Sequence, residues 1–518
     1  MFERLGVRIV LFAALISTVP VAIATTDPSD RNEKAEAPQL IQPGERLVLL
    51  GVTSDNHALV QEGSTVFATE LKRGARKQFV ATTPPGNVAY VYTVGEVAFV
   101  WTNPDRSVNG FGVSPLIVWS DASGANKASD NSPIGTFTTS ASDNGRYVMY
   151  TTRGPADGSV GDIEFARTDM SERRTLVAQV PMSFPVGACR PWGSFVGQGQ
   201  RSRPVTLACE NGATSPTLAA WNNRGEQRVT LVESALSPPY FTASPDGTQL
   251  FTALSGSRTP VVVNMRGELR RLEEGFLSRR GFFTSRNDVF YSAFVDLTKA
   301  GEIRRASLRT GATSSVVNNF LLFITPQQGS DLIVTPPSSP DGSKLAYQTG
   351  FDPNTGLNDL WIANLNDGGG TAIEATNNTY LPGGFVTSGP LFSTDSAYTL
   401  YGRVDDLATG SSSLVAAGPK GKVSFGAPSF FTHDRLVGAN IAFSDNFRFD
   451  PNNIFNSTAD LKLVDLSQPD RTLRTVAPQA YSIFFPANRG RELTFTTAKG
   501  AQGAGLYTVR ARASRDDD

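Results

Sequence analysis

The chain has 518 residues, of which 40% are hydrophobic, and its 47 basic and 48 acidic residues leave a formal net charge of -1. Nucleic acids and anionic membranes bind surfaces on which positive charge is concentrated, so a near-neutral chain favours neither as a partner. The 48 Gly and 32 Pro interrupt the chain too often for long helices, which predicts a large all-β body.

Residues 1–24 are predicted to form a secretory signal peptide. Arg4 and Arg8 precede a mostly apolar run, and Ala22-Ile23-Ala24 provides a small-x-small cleavage site. The alternative is an uncleaved membrane anchor, which the short apolar run and Pro20 disfavour. We therefore expect an exported protein, periplasmic or extracellular, that begins at Thr25 and has no transmembrane segment after signal removal.

The remaining chain divides into three regions. Residues 25–44 are polar and are predicted to be a flexible lead, residues 45–513 carry a continuous strand pattern, and residues 514–518 form a polar tail. Within the second region, ten segments alternate in the manner of strands and each follows another apolar strand. These ten segments begin at Thr65, Pro115, Asp162, Thr217, Pro260, Glu302, Asp359, Ser413, Asp460 and Gly505.

A turn rich in Ser, Asp and Gly, followed by a short apolar strand that ends in an aromatic residue, recurs along this region. It is clearest as SPDGTQLF at Ser244–Phe251 and SPDGSKLAY at Ser339–Tyr347. The Asp-Gly turn is predicted to reverse the chain between the first two strands of each unit. Weaker copies begin at Ser142, Ser285, Ser393 and Asn488.

The unit at Ser339–Leu365 combines S-P-D-G-x-x-L-x-[FY] with D-L-W-[IV]-x-x-L, and this combination resembles the TolB-type, WD-like β-propeller repeat. The resemblance implies four-stranded blades about a central channel, with the Leu and the aromatic residue packed between blades. We expect one large ring of about 8 to 10 blade-like units, with two smaller propellers as the alternative. The partners of TolB are not carried over to this chain.

Two cysteines, Cys189 and Cys209, lie at a hairpin-like separation. In an exported protein this pair predicts a disulfide, and a loop of this size would contribute about 3 kcal/mol to stability. Two buried free thiols are the alternative. A zinc site is disfavoured, because only His57 and His433 could complete it.

Long loops rich in Asp are expected between the second and third strands of several units, at residues 103–114, 154–162, 351–359, 405–412 and 444–460. They predict either an acidic mouth on one face or ordinary turn chemistry. One of them resembles a calcium loop of the D-x-[DN]-x-G type, and a solvated hairpin loop is the alternative. The candidate calcium ligands and the loop glycine are Asp352, Asn354, Gly356, Asn358 and Asp359. Apart from calcium, the sequence suggests no cofactor.

Positive charge gathers between Arg258 and Arg309. Arginine suits planar recognition of carboxylates or phosphates, so this sector is a candidate surface for an acidic partner, while a charged rim with local ion pairs is the alternative. The sector contains Arg258, Arg266, Arg270, Arg271, Arg279, Arg280, Arg286, Lys299, Arg304, Arg305 and Arg309.

Motifs for nucleophilic, zinc and nucleotide chemistry are missing from the sequence, which has no G-x-S-x-G, H-E-x-x-H or P-loop pattern. The preferred interpretation is an exported, non-enzymatic propeller that presents its loop faces to a protein or a cell-envelope component. The alternative is a glycan-active hydrolase or lyase that uses carboxylates such as Asp405 and Asp406 at the channel mouth. No catalytic residue is assigned.

Overall fold

A series of short antiparallel strands makes up the protein. The computed structural model describes residues 37–103, 113–134, 139–153, 160–181, 191–210, 213–235, 241–278, 281–295, 301–320, 338–352, 355, 357–365, 369–380, 391–406, 408, 411–425, 433–448, 450, 457–468, 471, 473–500 and 503–511. These residues form β-strands, with 3-10 turns at Gly199–Arg201 and Asn488–Gly490.

Six separate sheets each contain four strands in sequential order, and we number them blades 1 to 6. Blade 1 consists of β2 (Val48–Val52), β3 (His57–Glu62), β4 (Thr65–Glu70) and β5 (Gln78–Thr82). Blade 2 consists of β6 (Tyr90–Val94), β7 (Val97–Trp101), β8 (Val113–Ser120) and β9 (Gly124–Pro133). Blade 3 consists of β10 (Ser140–Ala141), β11 (Tyr147–Arg153), β12 (Val160–Arg167) and β13 (Arg174–Pro181).

Blade 4 consists of β14 (Trp192–Val196), β15 (Arg203–Ala208), β16 (Thr217–Trp221) and β17 (Arg228–Val232). Blade 5 consists of β18 (Thr242–Ala243), β19 (Gln249–Ala253), β20 (Pro260–Asn264) and β21 (Leu269–Arg271). Blade 6 consists of β22 (Gly281–Ser285), β23 (Asp288–Ala293), β24 (Gly301–Ser307) and β25 (Thr313–Phe320).

Four further units are joined in pairs into two larger sheets. Blade 7 consists of β26 (Lys344–Asp352), β27 (Leu357–Asn364) and β28 (Gly369–Tyr380), and blade 8 of β29 (Leu391–Phe392), β30 (Thr399–Asp406), β31 (Ser411–Gly418) and β32 (Gly421–Ser424). Blade 9 consists of β33 (His433–Arg435), β34 (Asn440–Arg448), β35 (Thr458–Asp465) and β36 (Arg474–Ala487). Blade 10 consists of the end of β36, β37 (Glu492–Gly500), β38 (Gly503–Arg510) and β1 (Gln39–Pro43). This succession of antiparallel units, four-stranded except for the three described strands of blade 7, is the blade architecture of a β-propeller, as the repeat predicts.

The N-terminal strand β1 corrects one expectation. Residues 39–43 belong to the predicted flexible lead, yet they pair antiparallel with β38 as the outer strand of blade 10, and Ile41 is buried. The prediction was wrong for these residues because their partner strand lies at the other end of the chain. The rest of the predicted signal peptide and lead, up to residue 36, lies outside the described residues.

The core consists of the two faces of the inner strands. In blade 5, Leu250 is fully buried in a cluster with Val205 and Leu207 of blade 4. The next residue, Phe251, points to the opposite face, where it packs with Val289 and Tyr291 of blade 6. The Leu and the aromatic residue of the repeat therefore fill the two neighbouring interfaces, as predicted, because successive strand residues face opposite sides.

By its internal contacts the described chain separates into two compact units. Unit 1 includes the described parts of Met1–Gly63, Ala68–Lys77 and Pro336–Asp518, and unit 2 includes those of Ser64–Phe67 and Gln78–Thr335. Blades 2 to 6 thus belong to unit 2 and blades 7 to 10 to unit 1, and the division passes through blade 1.

Candidate functional site

Every blade has two ends that differ in their chemistry. Since the four strands run up and down in order, the connections between strands one and two and between strands three and four lie at one end, which we call the turn end. The connections between strands two and three, and those that lead to the next blade, lie at the other end, which we call the loop end. A functional site could occupy either end, so each is described separately.

The turn end is built from the Ser-Asp-Gly repeat. In blade 5, Ser244 Oγ donates to Asp246 Oδ1 at 2.7 Å and accepts the backbone N–H of Gln249 at 3.0 Å, while Gly247 adopts a φ of 66°. In blade 7, Ser339 bonds Asp341 and the backbone N–H of Lys344 in the same way. The motif is therefore a side-chain-braced turn between the first two strands, as the sequence predicts.

One copy of this turn escaped the sequence analysis. In blade 1, Thr53 Oγ1 donates to Asp55 Oδ1 at 2.5 Å and accepts the N–H of His57 at 3.1 Å, and Asn56 has a φ of 65°. The sequence TSDNH differs from SPDG at three places, but Thr replaces Ser as the brace and Asn tolerates the left-handed conformation that Gly adopts elsewhere. The sequence feature that identifies this turn is a Ser or Thr two residues before an Asp.

Hydrogen bonds keep the carboxylates of these turns ionised. Burial acts to raise the pKa of Asp246, but hydrogen bonds from Ser244 and Thr248 outweigh burial and hold the pKa below its ordinary value. The pKa of Asp341 is lowered against burial by bonds from its own turn. At Asp55, burial is likewise outweighed by the bonds from His57 and Thr53, so its pKa is also lowered.

Consecutive turns are bonded to each other within unit 2. The N–H of Gly199 in blade 4 donates to Asp143 Oδ2 in the blade 3 turn at 2.9 Å. Gly247 of the blade 5 turn lies so close to blade 4 that a Cβ on it would be 2.3 Å from the Cα of Gly197. Gln249 then donates to the carbonyl of Arg286 in the blade 6 turn at 3.3 Å.

The same linkage occurs within unit 1. Ser396 Oγ of blade 8 accepts the N–H of Asp341 in blade 7 at 3.1 Å, and the N–H of Val437 in blade 9 donates to the carbonyl of Gly490 in blade 10 at 2.8 Å. The N–H of Asn488 donates to Asn56 of blade 1 at 2.6 Å. Neighbouring turn ends are therefore bonded to each other at several places in each unit, and the polar groups of these turns hold the fold together.

The loop end has longer and more varied connections. Those between the second and third strands span residues 102–112 in blade 2 and 449–457 in blade 9, but only residues 63–64 in blade 1. Two large apolar side chains are exposed beside such connections: Val295 of blade 6 is 78% exposed and Val160 of blade 3 is 40% exposed. The loop end is thus where the blades differ most from one another.

Carboxylates at the loop end are bonded to the sheet edge. Asp162, at the start of the third strand of blade 3, accepts the N–H of Gln179, which forms a bulge in the fourth strand with a φ of 53°. Asp460 of blade 9 accepts the N–H of Gln479, a bulge residue with a φ of 56°, at 3.1 Å. The Asp that opens the third strand in these blades therefore stabilises a bulge, a role that sequence reasoning missed.

The pair considered for glycosidase chemistry is also engaged. Asp405 binds Arg403 at 2.8 Å and accepts a hydrogen bond from Ser413 at 2.6 Å, while Asp406 Oδ1 accepts the N–H of Ala408 at 2.9 Å. Both residues end the second strand of blade 8, so their bonds fix the start of the following loop. These contacts support turn chemistry at this edge.

The structure describes the proposed calcium loop in part. Asp352 ends β26 and Asn358 and Asp359 lie at the start of β27, with Thr349 opposite Asp359 across the hairpin. Asn354 and Gly356 lie outside the described residues. Across the described part of the chain, no three His, Cys, Asp or Glu side chains are grouped so that they could hold a metal ion. The calcium loop remains a prediction.

A polar cluster anchors the middle of the arginine sector between blades 5 and 6. Arg304 Nε lies 2.8 Å from Glu273 Oε2, and its Nη1 lies 2.6 Å from Glu302 Oε2. Tyr291 donates to Glu273 at 2.8 Å, and burial, together with this carboxylate, raises its pKa. The Arg304 guanidinium also lies 5.0 Å from the ring of Phe276. This arginine is structural.

Two more arginines of the sector have local partners: Arg305 with Asp288 at 2.9 Å and Arg271 with Glu274 at 3.5 Å. The expected rim of local ion pairs accounts for these residues. Arg279, Arg280 and Lys299 lie outside the described residues.

A related cluster joins blades 2 and 3. Glu164 accepts hydrogen bonds from Arg173 and Thr175, and Arg173 also donates to the carbonyl of Ala128 in blade 2 at 3.0 Å. The Arg173 guanidinium lies 5.6 Å from the ring of Tyr150, whose pKa burial raises to about 12. Because Tyr150 is fully buried and Glu164 nearly so, this cluster stabilises the fold.

Cys209 follows β15 directly and is fully buried. Cys189 lies outside the described residues, so the disulfide remains a prediction. Within the part of the chain that the structure describes, no helix is long and apolar enough to cross a membrane.

Comparison with known proteins gives similarity of structure only. No protein-family model matches the chain, and no curated protein matches its sequence. Among solved structures, a eukaryotic initiation factor is 13% identical over 76% of this chain and 91% of that chain, with a TM-score of 0.48. The GH74 enzyme of Niastella koreensis is 11% identical over 81% of this chain and 70% of that chain, with a TM-score of 0.36. TolB from Acinetobacter baumannii is 12% identical over 65% of this chain and 79% of that chain, with a TM-score of 0.28. At these values the similarities carry no argument about activity or partners.

Proposed function

We propose that the chain is an exported, non-enzymatic β-propeller that binds a protein or cell-envelope partner through its loop ends. The observation that carries this proposal is the difference between the two ends of the blades. The turn ends are short and bonded to each other, whereas the loop ends vary in length and carry Val295, which at 78% is the most exposed large apolar side chain of the described residues. Exposed apolar side chains among varied loops are typical of recognition surfaces.

The first strands of the unit 2 blades support binding over catalysis. Blades 2 to 6 begin with YVYTV, SA, WGSFV, TA and GFFTS, which contain no Asp, Glu, His, Lys or Arg. A propeller hydrolase or lyase needs ionisable groups on the innermost strands or at their mouth, with two carboxylates about 5 to 10 Å apart for glycoside hydrolysis. The described carboxylates at the loop end instead brace bulges and loop starts.

Site-specific photo-crosslinking tests the proposal in cells that produce the full chain. A benzophenone amino acid is placed at Val160 or Val295 of the loop end and, as matched controls, at Ala122 or Asn223 of the turn end. All four positions are exposed, so the substitutions are expected to leave folding unchanged. We expect one envelope protein or component to be captured from both loop-end positions and from neither control.

Capture from the turn-end positions alone, or from none of the four, would contradict the proposal that the loop ends bind a partner. The alternative activity is tested in parallel by incubating the purified protein with neutral and acidic polysaccharides and measuring new reducing ends and unsaturated products. Turnover that stops when Asp405 and Asp406 are replaced by Asn would establish the glycan hydrolase or lyase instead.

Export belongs to the same proposal and has its own test. Fractionation of the producing cells should place the protein in the periplasm or the medium, with an N-terminus at Thr25. Retention of the full-length chain in the cytoplasm would overturn this part, while leaving the crosslinking result to be judged separately.

A further inference from the structure

Four exposed arginines lie at the turn ends of blades 5 and 6. Arg266 is in the turn between β20 and β21, and Arg270 is on β21 itself. Arg286 is in the turn between β22 and β23, and Arg309 is in the turn between β24 and β25. We call this surface the basic rim.

Backbone contacts bring the three elements of the basic rim together. Arg270 Nη1 donates to the carbonyl of Leu308 at 2.6 Å, next to Arg309. The N–H of Leu308 donates to the carbonyl of Asn287 at 2.6 Å, next to Arg286. Arg270, Arg286 and Arg309 are therefore held on one continuous surface, with Arg266 on the adjoining turn.

The arginines of the basic rim outnumber the carboxylates around them. In the described part of the chain, none of its four arginines forms an ion pair, unlike Arg271, Arg304 and Arg305 of the same sector. Two carboxylates lie nearby: Glu268, which accepts a hydrogen bond from Asn264 at 2.6 Å, and Asp246, which is bonded to its own turn and interacts electrostatically with Arg286. Four arginines against two carboxylates leave the rim with a net positive charge.

An apolar strip accompanies these charges. Leu269 is 41% exposed between Arg266 and Arg270, and Val229 of blade 4 is 37% exposed. Val229 adjoins the same turn, since a Cβ on Gly267 would lie 3.8 Å from its Cγ1. Arginine is enriched at protein-binding surfaces, and the exposed aliphatic side chains beside it offer apolar contact area.

We propose that the basic rim docks an acidic polypeptide segment that also carries aliphatic side chains. Guanidinium groups suit paired recognition of carboxylates, and Leu269 and Val229 offer contacts to aliphatic residues of the same segment. This surface is at the turn end, so its partner contact is separate from the one proposed for the loop ends. Anionic lipid headgroups share the negative charge of such a segment, so binding to lipid vesicles is a separate outcome of the test.

The test measures binding of a fluorescein-labelled synthetic peptide of alternating Asp, Leu and Glu residues to the full mature chain by anisotropy. Arg286 and Arg309 are replaced together by Gln, and Arg224→Gln is the matched control. Arg224 is exposed on a turn of blade 4 built like that of Arg266, since Asn222 accepts its N–H at 3.1 Å as Asn264 accepts that of Arg266 at 2.9 Å. We expect the double variant to bind at least about tenfold more weakly and the control to bind as the wild type does.

Three controls make the result specific. A peptide with Asn and Gln in place of Asp and Glu should not bind, and affinity for the acidic peptide should fall as salt is raised. Leu269→Ser should weaken binding without changing the melting temperature, because Leu269 is exposed. The proposal is overturned if the wild type does not bind the acidic peptide, if the Arg224→Gln control is weakened equally, or if phosphatidylglycerol vesicles bind and the peptide does not.

Discussion

Replacing Leu345 by Ala tests the register of the repeat. Leu345 lies on β26, opposite Ala363 of β27, and is fully buried. The substitution removes about three methylene equivalents, each worth about 0.8 kcal/mol, and the cavity left behind adds to this loss. We expect the free energy of unfolding to fall by about 3 to 5 kcal/mol.

The neighbouring residue provides the comparison. Lys344 is half-buried on the opposite face, and its Nζ donates to the carbonyl of Ser396 in blade 8 at 2.8 Å. Its replacement by Ala removes one hydrogen bond and should cost about 1 kcal/mol. The sequence alone predicts a negligible cost, because the turn of blade 8 cannot be placed from sequence.

Urea unfolding followed by tryptophan fluorescence measures both changes. Leu345→Ile, which conserves volume, is the control and should cost less than about 1.5 kcal/mol. Equal losses for Leu345→Ala and Lys344→Ala would refute the reasoning, because the two side chains would then not lie on the faces that the strand register assigns to them.

Three other predictions follow from the chain. Intact mass and thiol labelling of the unreduced secreted protein should give a chain that starts at Thr25 with both cysteines unlabelled; a labelled pair would exclude the disulfide. The calcium loop predicts a melting temperature that rises in about 1 mM calcium and does not rise once Asp352 and Asp359 are changed to Asn; an unchanged wild type would reject the loop. The lowered pKa values of the turn carboxylates mean that their stabilisation is complete above pH about 4 and is lost as pH falls through the folded-state values. Asp246→Asn with Asp341→Asn should therefore flatten the acid limb of the stability curve, and an unaltered limb would show that these bonds do not stabilise the fold.

Local features of the fold could be predicted from sequence. Alternation located the third strand of nine blades and β27 of blade 7, and the Ser-Asp-Gly phrase identified the turn between the first two strands, because both depend on residues a few positions apart. The pairing of β1 with β38 could not be predicted, since it joins the two ends of the described chain and Gln39–Pro43 has no strand pattern long enough to stand out.

Much less of the candidate site could be predicted. The sequence located the loops of the loop end and the arginine sector, but it could not separate structural residues from exposed ones. Arg304 and Arg309 are five positions apart, yet Arg304 is partly buried and paired with Glu273, whereas Arg309 is exposed. Asp162 likewise belongs to a loop whose composition predicts an acidic mouth. In the structure, however, its carboxylate oxygen accepts the backbone N–H of the bulge residue Gln179. Such distinctions depend on contacts between strands, which a single sequence does not display.

The strand β36 explains why blades 9 and 10 lack a connecting loop at the loop end. Its first part pairs with β35 in blade 9 and its last part, Phe484–Ala487, pairs with β37 in blade 10. One continuous strand therefore replaces the connecting loop that elsewhere leads from blade to blade. The strand β1 also supplies the outer strand of blade 10. Backbone pairing therefore joins β1 to β38 in this part of unit 1. The connections between the second and third strands of a blade are not part of this pairing, and Val160 and Val295 lie beside two of them, in blades 3 and 6.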